Sequence, residues 1–423
     1  MGNPLVLGKD KLVVPEALQY RHFAFVGTSG YGKSTAIEEI LMHARRHHHK
    51  ALVVDVAGAF VAKFGRPGDR ILSLRDARSA AWDFWSEPLA TPENIAAALI
   101  EADVTQNQYF WKSARQVLAA MLRSNSSLAG FIEDLGKSQK ELKDKLQKAG
   151  ELATKMMGES GGDQADGVIG TTMLDLAFVK DLQANNVGRE AFSITKWMND
   201  PAERGFVFLV VDEPGLETSK PLIRTWFEMA ALAALSRHPY DHRCPHTWLV
   251  IDEAKSVGQL PSLPAILDKG RKYNVSVVLG FQAFSHMKRI YGEYDASSIF
   301  QGMQNQFFFR MSEPESAEYA SDALGEQDVE QASYGLSFGS KESSERGNVN
   351  HARTRRQVVL ASELQSQDIL KAYVKLCHHQ PVAMTFAPTQ LMATCEPFVP
   401  NGARPKAIPD PEGFGVFSEE GEG

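Results

Sequence analysis

The stretch Gly27-Thr28-Ser29-Gly30-Tyr31-Gly32-Lys33-Ser34-Thr35 contains a full match to the phosphate-cradling pattern G-x-x-x-x-G-K-[ST]. An apolar run, His22 to Val26, leads into it. A helical pattern with Ile37, Ile40 and Leu41 on one face leads away, so the loop joins a strand to a helix N-terminus. Glycines let such a loop turn tightly with its N–H groups pointing inward, and the helix N-terminus adds positive potential where polyphosphate oxygens would lie. Lys33 can then reach the β- and γ-phosphates, and the Ser34 hydroxyl is placed to ligate Mg2+. An ordinary glycine turn is the competing reading, and the strand and helix on either side weigh against it. The sequence therefore points first to nucleotide binding.

Hydrolysis would need acids beside that loop, and two apolar runs end in Asp-Glu. Phe206 to Val211 is followed by Asp212-Glu213, and Trp248 to Ile251 by Asp252-Glu253. The first pair runs into Pro214-Gly215, as a plain strand exit does. The second opens Ala254 to Leu263 and a helix ending Lys269-Gly270-Arg271-Lys272-Tyr273, after which the strand Val275 to Phe281 stops at Gln282. An acid pair on one strand and an amide at the tip of the next suit a water-activating P-loop enzyme. Asp252 would hold the Mg2+ shell, Glu253 would act as base or orient the water, and Gln282 would sense or position near the γ-phosphate. Taken alone, Gln282 reads as a strand-end amide bonded to backbone, and its place after the neighbouring strand favours the functional reading. Asp55, closing the run Ala51 to Val56, has two readings of equal weight: a site residue at the carboxyl edge of a sheet, or the cap of the next turn.

The elements that must carry these residues begin as strand, loop, helix and strand, the start of a right-handed βαβ fold with buried parallel strands. Between Thr91 and Asn185 the strands stop. Thr91-Pro92-Glu93-Asn94 is a helix start, and Tyr109-Phe110-Trp111 leads a helical stretch through Val117, Leu118, Met121 and Leu122. These three aromatics are expected in the core, with a base-stacking platform as the alternative. Lys137 to Leu146 alternates charge on a helical period, read as a solvated face. Gly158 to Asp163 reads as a flexible loop, Thr171 to Asn185 as a closing helix, and the α/β pattern resumes with Phe192 to Met198 and then Phe206. The expected divisions are residues 1–88 and 188–395 for a nucleotide-binding domain, 89–187 for an inserted all-α domain, and 396–423 for a disordered acidic tail.

The chain has 423 residues, 43% hydrophobic and 23% charged, enough for a large core. No apolar stretch approaches the roughly 18 residues that cross a bilayer, and the first residues lack the order of a signal peptide. Cys244, Cys377 and Cys395 are far apart, which fits a reducing compartment and offers no metal site. The net charge of −7 argues against a coat of basic charge and leaves open a basic channel within an oligomer. Arg45-Arg46-His47-His48-His49-Lys50 reads as the exposed cationic last turn of a helix rather than a metal site. Ser337 to Asn348 reads as a polar loop, and its end, His351 to Arg356, as solvated or as a contact to DNA phosphates.

Taken together, Gly27 to Thr35, Leu249 to Glu253, Leu260-Pro261-Ser262-Leu263, Gly270-Arg271-Lys272-Tyr273 and Val278 to Gln282 resemble type IV secretion coupling proteins of the TraD/TrwB type. The resemblance runs from His22 through Arg355 to Leu360 and Glu363-Leu364. It implies a RecA-like P-loop NTPase core, α/β in class, with an inserted all-α domain. It also implies ATP with Mg2+, a homohexameric ring, and hydrolysis that drives single- or double-stranded DNA toward a secretion channel in conjugation. The implied partners are relaxase-bound DNA or protein substrates and channel components, on the cytoplasmic side of the bacterial inner membrane. For Arg271 the resemblance implies a finger reaching a neighbour's phosphates, with Arg310 as a rival and a surface salt bridge as the bland alternative for either. Members of this family carry membrane helices ahead of the nucleotide fold. The expectation here is that such an anchor was removed, the alternative being a member that docks through a membrane partner. Two other functions compete: a FtsK/HerA-like DNA motor for segregation, and a recruitment adaptor for secreted proteins with nucleotide as an assembly switch.

Overall fold

Short runs of Val, Ile, Leu and Phe bounded by glycines and charges become strands buried on both faces, the signature of a parallel sheet covered on two sides. The computed structural model describes residues 3–102, 108–157, 170, 176–241, 243–336, 347–388, 391–404, 406 and 408. In chain order the strands are β1 (Leu5–Leu7), β2 (Leu12–Val14), β3 (Phe23–Val26), β4 (Lys50–Val56), β5 (Arg70–Leu72), β6 (Phe206–Val211), β7 (Thr247–Ile251), β8 (Val275–Phe281) and β9 (Asn305–Phe308). They are followed by β10 (Glu326–Leu336), β11 (Gly347–Gln357), β12 (Lys371–Lys375) and β13 (Val382–Thr385). Among the described residues, nine of these form one sheet in the order β13-β12-β9-β3-β8-β7-β4-β6-β5. From β9 to β5 every pairing is parallel, and β12 and β13 close one edge antiparallel.

Alternation along each strand divides the core into two layers. Phe23 and Phe25 pack with Ile37, Ile40 and Leu41 of the Lys33–Arg46 helix on one face. Ala24 and Val26 belong to the other layer, which continues through the Leu216–Leu235 helix into Leu118, Phe131, Leu142 and Phe178. Among the described residues, the helices between the two halves of the sheet include Pro92–Leu99, Gln108–Arg123, Leu128–Leu135, Gln139–Lys148 and Val179–Asn186. Thr91, Ser127 and Ser138 cap three of them with side-chain oxygens. The charged helix is not a plain solvated face. Leu142 and Leu146 are buried, and Lys145 folds onto buried Asp134, which also accepts from Lys137 at 2.7 Å. Phe110 and Trp111 pack partly buried on this core, whereas Tyr109 is 39% exposed. The expected loop Gly158 to Asp163 and residues 171–175 of the closing helix lie outside the described residues. No described helix is long and apolar enough to cross a membrane.

Four stretches differ from the sequence reading. Phe192 to Met198 holds no strand of the sheet; Ile194–Asn199 is a helix capped by Ser193, and Glu87 accepts from the N–H groups of Ile194 at 2.8 Å and Thr195 at 2.9 Å. The cationic turn at Arg45 to Lys50 is half interior. Arg45 pairs with Asp69 and lies 3.4 Å from the Phe206 ring centroid, while Lys50 is fully buried as the first residue of β4. His351 to Arg356 is strand rather than loop, within β11, and residues 337–346 lie outside the described residues. Val399, expected within a disordered tail, is part of the fold: it is 3% exposed and the Ala77 N–H donates to its carbonyl at 2.7 Å.

Lys50 joins two of these features. Its Nζ donates to the carbonyls of Trp197 at 2.7 Å, Met198 at 3.2 Å and Asp200 at 2.6 Å, closing the C-terminus of the Ile194–Asn199 helix. Lys50→Met fills the same space but leaves three carbonyls without that donor. The loss expected is about 3 kcal/mol of stability, read as a lowered urea midpoint at unchanged slope.

Buried and half-buried imidazoles gather where the Lys33–Arg46 helix meets β4 and β7. His43, His49 and His246 lie edge-on and tilted to one another, with ring centroids 5.5 Å and 4.8 Å apart in succession. Trp248 Nε1 donates to His49 Nδ1 at 3.1 Å, and His43 Nε2 meets Gln19 Oε1 at 3.2 Å. Burial holds His43 down to about 3 and His49 to about 4. Between pH 6.5 and 4 the unfolded chain therefore binds protons that the native chain refuses, and stability falls as the pH is lowered through that window. Thermal melts across this range are expected to show the loss, and His43→Gln, which keeps a donor and does not titrate, flattens the slope.

Candidate nucleotide-binding site

The loop after β3 is shaped by its backbone before any side chain is counted. Its first two N–H groups are held by the neighbouring strands: Gly27 donates to Phe281 O at 3.1 Å and Thr28 to Arg310 O at 2.7 Å. Gly32 takes φ 113°, a conformation that side-chain-bearing residues rarely adopt, so glycine is required there. The helix then begins at Lys33. Lys33 is 8% exposed and its Nζ donates to the carbonyls of Gly27 at 2.7 Å and Thr28 at 3.2 Å. Burial lowers its pKa, against the attraction of Asp252 and Glu253.

Sheet order brings the acids to this loop. β8 lies between β3 and β7, so Gln282, after β8, stands between the phosphate-type loop and the Asp252-Glu253 pair. A Cβ on Gly280 would meet Asp252 O at 2.1 Å, which is why β8 can pass the end of β7 so closely. Ser34 Oγ donates to Asp252 Oδ2 at 2.6 Å, and Gln282 Nε2 donates to Glu253 Oε1 at 3.1 Å. Asp252 Oδ1 is buried with no hydrogen-bond partner among the described residues. Burial raises the Asp252 pKa, opposed by the Ser34 hydroxyl and the Lys33 ammonium. Ser29, Gly30, Thr35, Ile369 and Leu370 join these groups around a cavity of about 250 Å³. A hydroxyl, an ammonium, two carboxylates and an amide thus converge on one hollow at a helix N-terminus, a set suited to an anion with a divalent cation.

A family model described as the type IV secretion-system coupling protein DNA-binding domain matches residues 9–386. The chain belongs to that family. It is 28% identical over 407 residues to coupling protein TraD of Escherichia coli K12, across 92% of this chain and 55% of TraD. It is 24% identical over 258 residues to conjugal transfer protein TraG of Rhizobium radiobacter, across 56% of this chain and 40% of TraG. The chain thus spans about half the length of TraD. Among solved structures, unbound TrwBΔN70, a bacterial conjugative coupling protein, superposes with a TM-score of 0.81 at 23% identity over 94% of this chain and 92% of that one. TrwB in complex with ADP and Mg2+ gives 0.80 at 23% identity, over 95% and 93%. The fold is therefore α/β, a RecA-like NTPase core with a helical domain.

Within this coupling-protein fold the remaining sequence candidates separate. Asp55 spends both carboxylate oxygens on the N–H groups of Phe60 at 3.1 Å and Val61 at 2.7 Å, so it caps a helix behind the cavity. Asp212 pairs with Arg75 at 2.8 Å, and Glu213 lines an adjoining hollow with Glu38, Asp252 and Glu253. Arg310 belongs to the loop of its own chain: its guanidinium lies 5.0 Å from the Tyr31 ring centroid, donates to the Tyr31 hydroxyl, and donates from Nε to Gln365 O at 2.9 Å. Arg271 lies before β8, at the end opposite Gln282 and about 23 Å away for seven extended residues. There it is exposed in a separate cleft with Arg21, Lys272 and Gln304. Sequence reasoning missed Ile369, Leu370 and the Tyr31–Arg310 contact. The only local sign of them is an apolar pair just ahead of the β12 edge strand.

Proposed function

We propose that this chain is the ATP-hydrolysing part of a coupling protein that recruits relaxase-bound DNA or protein and drives single-stranded DNA to a type IV secretion channel in conjugation. The proposed working form is a homohexamer on the cytoplasmic side of the bacterial inner membrane. One observation carries the reading: Ser34 bonded to Asp252 at 2.6 Å, with the second Asp252 oxygen buried and unpartnered beside the Gly27 to Thr35 loop. That pair is the donor set a Mg2+ ion takes from a P-loop and its acid strand. TrwB, which shares the fold, has been solved with ADP and Mg2+ and with a non-hydrolysable ATP analogue.

In this reading Ser34 and Asp252 hold Mg2+, and the ion when bound offsets the charge on the phosphates. Lys33 leaves the Gly27 and Thr28 carbonyls for the phosphate oxygens, exchanging two neutral acceptors for anionic ones. Gln282 fixes one Glu253 oxygen and leaves the other to take the proton of the attacking water. Arg271 cannot serve its own loop from the far end of β8, so its proposed phosphates are a neighbour's. DNA, single- or double-stranded, is the load.

The test is steady-state ATP hydrolysis by an assembled ring, with and without single-stranded DNA, beside Lys33→Ala. Stimulation by DNA that Lys33→Ala abolishes is expected. Tight ATP binding with negligible turnover in a confirmed hexamer, whether or not DNA is present, would replace translocation with the adaptor.

A further inference from the structure

β10 and β11 pair with each other over eleven residues apiece, Glu326 to Gln357 at the base and Leu336 to Gly347 toward the tip. Among the described residues neither strand pairs with anything else. The ribbon is fixed at its base, where Val358 N–H donates to Gly325 O at 2.9 Å and Gln357 Nε2 to Asp322 Oδ1 at 2.9 Å. None of its described side chains belongs to either core layer. Both outer edges therefore present free backbone donors and acceptors, and neither strand contains the proline or lysine that commonly blunts such an edge.

Charge on the ribbon is sorted by strand. β10 carries Glu326, Asp328 and Glu330, while β11 carries Arg353, Arg355 and Arg356. Asp328 lies opposite Arg355 and Glu330 opposite Arg353, at 3.8 Å and 3.3 Å, and the four side chains are 61–80% exposed. Within a sheet a residue has a cross-strand neighbour on each side, and each of these has one. The open side of β10 calls for a basic strand and the open side of β11 for an acidic one.

We propose that the ribbon docks edge to edge on the ribbon of a second copy of this chain, β10 of one against β11 of the next. With the ribbons pointing the same way this pairing is antiparallel, as it is within the ribbon, and the rows of acid and base continue across the junction. β10 against β10 would set carboxylates face to face, and β11 against β11 would do the same with guanidinium groups, so unlike edges alone are compatible. Such a contact is head to tail and each copy keeps one open edge of each kind, which leads to a ring where the rotation closes. Nucleic acid suits the surface less, because on the face that bears Arg353 and Arg355 three carboxylates, Glu326, Asp328 and Glu330, stand beside them and offset their pull on phosphate. This inference does not depend on the nucleotide reading.

The test is sedimentation velocity of the full chain over a range of concentration. Two variants are used: Arg353→Glu with Arg355→Glu, whose described edges are both acidic, and Asp328→Arg with Glu330→Arg, whose described edges are both basic. The wild-type chain is expected to self-associate, and each variant alone to do so at least about tenfold more weakly. An equimolar mixture is expected to regain association to within about threefold of wild type, because acidic and basic edges now alternate between copies. Each variant breaks the ladder inside its own ribbon and mixing cannot mend that, so recovery on mixing separates docking from a merely structural role. A wild-type chain that stays monomeric, or a mixture that stays as weak as its components, overturns the proposal. So does unchanged self-association in the acidic variant together with lost binding to a single-stranded oligonucleotide, which would hand the ribbon to nucleic acid.

Discussion

Glu253→Gln is expected to leave ATP binding within about threefold of wild type and to lower turnover by about a hundredfold to ten-thousandfold, the span of general-base catalysis. The substitution is nearly isosteric. The amide oxygen still accepts from Gln282 Nε2, so the 3.1 Å contact that orients the side chain survives while the proton acceptor is lost. Asp252 and its bond to Ser34 are untouched, which keeps the cation and phosphate groups as they were. Phosphate release under saturating ATP, paired with equilibrium binding of a fluorescent nucleotide, separates the two effects. Turnover within threefold of wild type would remove Glu253 as the base. Attention would pass to Glu213, which reaches the adjoining hollow from the end of β6.

The second large effect is expected at Arg271, at the opposite end of β8 from the loop. An arginine that stabilises transferring phosphate from a neighbour is worth about a thousandfold to a hundred-thousandfold in turnover. Arg271→Ala is therefore expected to abolish hydrolysis in an assembled ring and to leave nucleotide affinity unchanged. Mixing is the sharper measurement. Arg271→Ala keeps a sound loop and lacks the finger, whereas Lys33→Ala keeps the finger and lacks the loop. Mixed assemblies of two inactive variants then contain junctions where both halves are intact, and hydrolysis returns. Mixtures that co-assemble and stay inactive would return Arg271 to the role of a surface cation beside Arg21 and Lys272.

The loop, the acid pair and the Gln282 strand were legible because each is local: glycines that free the backbone, a strand that ends in acids, an amide at a strand tip. Their order in the sheet then brought them together, with β8 between β3 and β7. What stayed hidden depends on contacts between distant parts of the chain. Arg310 is bound to Tyr31 only because β9 runs beside β3. Asp55 turned out to be a cap because the amides of the next helix reach both its oxygens, which spacing alone leaves undecided. The helix at Ile194 is closed at one end by Glu87 and at the other by Lys50, each more than a hundred residues away in sequence. The β10–β11 ribbon escaped notice for another reason. Residues 326–330 and 353–357 at its base are mostly exposed and carry charges at most positions, and polar strands of that kind read as loop.

β8 has Gln282 just past one end and Arg271 a few residues before the other. Buried along its whole length and paired on both sides, it cannot bend independently of the sheet. A displacement at the Gln282 end would be carried along the strand toward the turn that bears Arg271, some two nanometres away. If a ring is the working form and Gln282 and Arg271 act as proposed, β8 is a stiff link with a reader at one end and a trigger at the other. The sequence in which neighbouring sites fire would then be timed by the rigidity of a strand and not by the wandering of a loop.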